Sequence, residues 1–113
     1  MERIFHIAFA ADWHAAQASG DYGISTRGRT LDEVGFIHAS YANQVSGVAN
    51  AFYGGIKEQL VLLVIDRQRL RPTVRDEAPE GSSELFPHIY GPLNLDAVVE
   101  VQPFEPDSAG RFS

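Results

Sequence analysis

Apolar and polar residues alternate in the first ten positions. In the run RIFHIAFA, Phe5, Ile7 and Phe9 fall on one face at period two, and Ile4, His6 and Ala8 on the other, which predicts a strand over residues 3–10. A short helix follows over 12–19, with Asp12 where a carboxylate suits the positive end of the helix dipole and Gly20 as its stop. Residues 21–30 are rich in Gly, Ser and Thr and read as a loop. GFIHA, residues 35–39, reads as a short strand. Ser40 is then placed to cap a helix over 41–53, with Val45, Val48, Ala49 and Phe52 as its apolar stripe and Gly54-Gly55 as its end.

In the second half, LVLLVI (residues 60–65) is apolar on both faces, the mark of a central strand covered on two sides. Residues 66–70 turn back, 73–77 form an edge strand and 79–83 a loop. Residues 84–90 (ELFPHIY) run extended, with Pro87 arguing against a regular central-ladder position, and VVEV at 98–101 is the last strand. The sum is an α+β chain with a bent, split, mixed or antiparallel sheet of about five to seven short strands and two helices. It forms one domain over residues 1–113, with its core at about 3–101 and a frayed tail over 102–113.

Charge narrows the functional classes. Nine basic and 15 acidic residues give a net charge of −6, which leaves no broad basic surface for nucleic acid. Arg67, Arg69, Arg71 and Arg75 form one local basic bunch. The chain has no cysteine, so thiolate chemistry and disulfides are excluded. The longest apolar run falls far short of the roughly 20 residues that span a bilayer. The N-terminal stretch, broken by His6 and ended by Asp12, is too short and polar for a signal peptide. A soluble cytoplasmic protein is expected.

The candidate chemistry lies in the histidines. His6, His38 and His88 sit on expected strands, and Glu84 shares a period-two face with Phe86, His88 and Tyr90. These four residues are expected to meet in one polar cleft, suited to acid–base work. No HxH, HxxxH or HExxH pair puts two ligands on one element, so no metal is expected. His38 and Ser40, two apart on one strand, lack nucleophile–base geometry. Gly-rich phosphate loops are absent, which leaves the N-terminus of the helix after Ser40 as an anion site, assisted by Arg27 and Arg29.

Three segments carry a family resemblance. FHIA with Asp12 and Trp13, GFIHAS with Gln44 and GVANAFY, and ELFPHIYGPL with LDAVV together resemble the bacterial domain-of-unknown-function family 952, over residues 3–101. That family looks like a reduced member of the ADP-ribosyltransferase superfamily, whose split sheet binds NAD in a cleft. The resemblance implies that His6 holds a ribose and that GFIHAS corresponds to a Gly-x-Tyr-Phe-Ala-Ser motif, with Phe36, Ser40 and Tyr22 contacting the nucleotide. It also implies that Glu84 stabilises an oxocarbenium-like transition state. Ile37 stands at the stacking-tyrosine position, Ile7 and Ala8 replace the usual Gly-Ser/Thr, and His38 and His88 are additional. Three functions follow as expectations: ribosyl or related transfer with NAD as substrate, a nucleotide-binding module without catalysis, and a metal-free His/Glu acid–base enzyme with Glu84, His38 and His88 as its catalytic groups.

Overall fold

The computed structural model describes residues 2–79 and 81–113. In chain order the elements are β1 (Arg3–Phe9), α1 (Ala10–Ser19), β2 (Asp21–Tyr22), β3 (Ile24–Thr26), β4 (Arg29–Thr30), α2 (Leu31–Val34), β5 (Ile37–His38), α3 (Val45–Phe52), β6 (Leu60–Asp66), β7 (Thr73–Glu77), β8 (Phe86–Tyr90), β9 (Leu93–Asn94) and β10 (Val98–Phe104). Single 3-10 turns precede α3 and follow β6 and β9. Two three-stranded sheets, ordered β1-β6-β10 and β5-β8-β7, make up the frame, and the pairs β2-β9 and β3-β4 flank it. Every described strand pair is antiparallel, which removes the mixed-sheet option.

The doubly apolar run takes the central place expected of it. β6 pairs along its length with β1 on one side and with β10 on the other. Its side chains alternate between two hydrophobic clusters. Leu63 and Ile65 join Ile4, Ala8, Ile37, Ile89 and Leu93, whereas Leu60 and Leu62 join Ile7, Val45, Ala49 and Tyr53. Six of the seven β6 residues are buried and Val61 is half-buried, so period two is masked by burial on both sides.

Several expectations are corrected. The stretch 21–30 is no loop: Tyr22 pairs with Leu93 and is buried, and β3 and β4 form a hairpin. Thr30 and Glu33 close a capping box that starts α2, a helix that propensity alone does not suggest at this length. Ser40 does not cap a helix. Its backbone bonds reciprocally with Phe5, and the helix entrance is closed by Gln44 Oε1, which accepts the Tyr41 N–H at 2.9 Å. Phe52, placed on the buried stripe of its helix, is 57% exposed.

Pro87 sits in the middle strand of its sheet. The Ala39 N–H donates to the Pro87 carbonyl at 3.1 Å, so the position that lacks an N–H faces the end of β5. The ladder loses one bond there, β5 stops at His38, and the chain turns away to meet Phe5. The proline is thus tolerated where the partner strand ends.

The segment 102–113 does not fray as expected. Gln102–Phe104 continue β10, and Phe112 is buried, stacked on Phe104 with ring centroids 4.8 Å apart. The Asn50 side chain clamps it from α3, donating to the Phe112 carbonyl at 2.9 Å and accepting its N–H at 2.8 Å. Glu80, inside the loop expected at 79–83, lies outside the described residues.

Candidate functional site at the sheet seam

The two sheets meet where β1 passes the end of β5. The Phe5 N–H donates to the Ser40 carbonyl at 2.8 Å, and the Ser40 N–H returns the bond at 2.7 Å. His6 pins the same seam with its side chain. In an antiparallel ladder, carbonyls alternate between the two edges of a strand. His38 therefore turns its carbonyl away from β8, and His6 Nδ1 donates to it at 2.5 Å. Nε2 then carries the lone pair and accepts the Tyr22 hydroxyl at 2.9 Å. Burial holds the imidazole neutral, with its pKa lowered to about 4, and burial likewise pushes the Tyr22 hydroxyl up. Neither ring nitrogen of His6 is left for a ligand.

Beside this seam lies a cavity of about 190 Å³. β1 contributes Phe5, His6 and Ile7 to its wall, the β3 segment Ser25 and Thr26, and the end of β5 His38, Ala39 and Ser40. Val48, Phe52 and Tyr53 close it from α3, and Pro79 and Phe86 from the other side. Most of this lining is apolar or aromatic. Among its polar groups, Ser25 donates to the Phe36 carbonyl at 2.5 Å and Thr26 meets the Tyr53 hydroxyl at 3.4 Å. His38 is different: its ring makes no hydrogen bond among the described residues. Burial first and the neighbouring His88 second lower its pKa, so it presents a neutral imidazole with one donor and one acceptor.

The expected four-residue cleft is realised in part. His6 and His38 share the cavity. His88 stands directly opposite His38 across the β5–β8 ladder, ring centroids 5.3 Å apart, but it does not line the cavity. Its Nδ1 donates to Glu77 Oε1 at 2.9 Å, Phe36 stacks on its face at 3.9 Å, and its buried Nε2 has no partner among the described residues. Glu84 stands apart from the cavity wall: it is exposed, and its carboxylate accepts Gln44 Nε2 at 3.0 Å. Phe36 and Tyr22, the expected stacking rings, are both committed to neighbours, Phe36 to His88 and Tyr22 to His6 and Trp13. Ser40 does line the cavity. His14 is exposed on α1.

The carboxylate that bonds His88 is Glu77, which sequence reading passed over. Hydrogen bonds from the Tyr90 hydroxyl and then from His88 hold it below the usual carboxylate range. Its signal was present in the strand pairing, since Glu77 opposes Phe86 and lies diagonal to His88, but a single strand's period-two reading does not show its neighbour. Phe52, Tyr53 and Phe86 are the aromatic walls; they lie within GVANAFY and ELFPHIYGPL but were not among the expected site residues. Three of the four bunched arginines are paired, and Arg75 lies over the Tyr90 ring at 5.3 Å. Arg67 meets Glu2 at 3.1 Å and Asp76 at 3.2 Å, Arg69 meets Asp66, and Arg71 meets Asp96. Among the described residues no three His, Cys, Asp or Glu side chains gather closely enough to hold a metal ion, and no helix is long and apolar enough to cross a membrane.

Comparison with known proteins accords with this frame. The family model described as "Protein of unknown function (DUF952)" matches residues 7–101. The crystal structure of protein CC0527 from Caulobacter crescentus is similar, with 29% identity and a TM-score of 0.84, covering 99% of this chain and 94% of that one. The solution NMR structure of CC0527 shows 31% identity and a TM-score of 0.79, covering 100% of this chain and 93% of that one. No curated protein matches the chain. With the family model spanning most of its length, the chain belongs to the DUF952 family of proteins of unknown function.

Proposed function

We propose that the chain is a binding module for a small nucleotide-like molecule whose ring-bearing end enters the cavity at the sheet seam. The observation that carries this reading is a neutral His38, unpaired among the described residues, lining an aromatic-walled cavity of about 190 Å³. An apolar cavity of about 150 Å³ holds benzene. The space therefore suits one heteroaromatic ring with a substituent, such as a nicotinamide or a pyrimidine. Phe52 and Phe86 give such a ring apolar contact, and His38 can accept from or donate to an amide at its edge.

The resemblance to the ADP-ribosyltransferase frame supports a nucleotide over other ring compounds. The two sheets, joined at the Phe5–Ser40 backbone bridge and by the His6 side chain, suit that split-sheet arrangement, with the cavity beside the split. Binding is favoured over transfer because transfer needs a negative charge beside the breaking ribose bond. Glu84 instead faces Gln44, and Glu77 is bound to Tyr90 and His88.

A thermal-shift and calorimetry panel tests the reading with nicotinamide, uridine, adenosine, NAD and ADP-ribose. Selective binding raises the unfolding midpoint, by about 2.7 kcal/mol of added stability at 100 times Kd. The expected result is stabilisation by one class of ring, no release of nicotinamide from NAD, and unchanged affinity in Glu84→Gln. Release of nicotinamide that Glu84→Gln abolishes would replace the module with a transferase. No stabilisation by any member of the panel would remove the nucleotide reading.

A further inference from the structure

We infer that the part of the ligand left outside the cavity is anionic, a phosphate monoester or its equivalent, and that Arg27 is the residue that reads it. This rests on the binding reading above. A single ring fills the cavity, so the remainder of any nucleotide must lie across the mouth.

Arg27 does not line the cavity but stands beside its wall, bonded to Phe52 and Tyr53. It is the tip of the β3–β4 hairpin, directly after Thr26, and its backbone N–H donates to the Tyr53 hydroxyl at 2.9 Å. Its guanidinium donates through Nη1 to the Phe52 carbonyl at 3.2 Å. Thr26, Phe52 and Tyr53 all line the cavity. The side chain is thus held against the same residues that would clasp the ring. It is exposed, and among the described residues it makes no ion pair, unlike Arg67, Arg69 and Arg71. Its remaining N–H donors make no hydrogen bond among the described residues, which leaves them to a ligand.

The backbone adds an independent argument. Among the described residues Arg27 is the one non-glycine with positive φ, at 22°, and Gly28 follows at 78°. A two-residue hairpin turn of this kind favours Asn-Gly or Gly-Gly, because both central residues need positive φ. Arginine is a poor choice for the turn itself. Local strain of this kind persists where the side chain has a use. The turn therefore gives up stability to hold a guanidinium on the Phe52 carbonyl, next to the cavity wall. The anion site expected at the N-terminus of the helix after Ser40 moves accordingly, to the hairpin packed on the other end of α3.

Calorimetry on the full chain compares each nucleoside with its 5′-monophosphate, in parent and Arg27→Asn proteins, at low and physiological salt. Arg27→Asn suits the turn and removes the charge. The parent is expected to bind the monophosphate about tenfold or more tightly than the nucleoside, an advantage that shrinks as salt rises. In Arg27→Asn that advantage is lost, nucleoside affinity stays, and the unfolding midpoint holds or rises. Equal affinity of the parent for nucleoside and monophosphate overturns the inference and leaves the binding reading standing. So does an undiminished advantage in the variant. A lowered midpoint with equal loss of both ligands would make Arg27 only a tie between the hairpin and α3. Binding of neither ligand removes the inference together with the reading beneath it.

Discussion

His6→Ala is expected to destabilise the fold by about 3–5 kcal/mol in urea denaturation at neutral pH. The imidazole is 2% exposed and supplies both side-chain bonds at the seam. Removing it leaves the His38 carbonyl and the Tyr22 hydroxyl without their partner, each costing about 1–3 kcal/mol when buried, and opens a void between the sheets. Tyr22→Phe removes one bond only and should cost about 1–2 kcal/mol. A loss below about 1 kcal/mol in His6→Ala would show that the seam does not depend on this side chain.

The same residue makes stability depend on pH. His6 titrates near 4 in the folded protein and near 6.5 when unfolded. Between those values the unfolded chain binds a proton that the folded one does not, so stability falls as pH drops from 6.5 towards 4. The full difference amounts to about 3 kcal/mol. His38, lowered by burial, acts in the same direction. Asp76 and Glu77 sit below the usual carboxylate range, so their losses come at still lower pH. A His6→Gln variant should therefore show a flatter urea midpoint between pH 6.5 and 4 than the parent.

Leu63→Ala is expected to cost about 3–5 kcal/mol, with little change in the urea slope. Leu63 is fully buried in the middle of β6, opposite His6 on β1 and Val101 on β10. Strands on both sides hold the backbone, so the site cannot collapse into the space and most of the void remains. Val101→Ala is the contrast: its side chain is 40% exposed on the edge strand, and its loss should stay below about 1 kcal/mol.

Which elements sequence reading finds follows from where their contacts lie. β1, α1 and β6 were legible because their patterns are local: alternation in RIFHIAF, a helix stopped by Gly20, and an unbroken apolar run. β2 and β9 were not, since a two-residue strand owes its form to a partner over 70 positions away. The role of Pro87 depends on where β5 ends, which no local pattern encodes. The docking of Phe112 depends on Asn50, in the middle of α3.

The candidate site divides in the same way. His38 and Ser40 stand in one motif, and both line the cavity. His6 was found for its chemistry, yet both its nitrogens serve the seam, a consequence of the Tyr22 and His38 positions that only folding reveals. Glu84 was favoured over Glu77 because it shares a strand period with His88. The pairing of β7 with β8 gives Glu77 the closer approach to that imidazole.

The central claim is that a ring-bearing ligand occupies the cavity beside the seam. Titration of the isotope-labelled protein with nicotinamide and with the best nucleotide of the panel, followed by NMR, tests it most directly. The predicted result is a saturable set of shift changes confined to His38, Ser40, Val48, Phe52, Tyr53 and Phe86, with the His38 ring nitrogens among the largest. Changes centred instead on the shallow hollow between α1 and β2, around Asp12, Ser19 and Tyr22, or changes scattered without saturation, would contradict it.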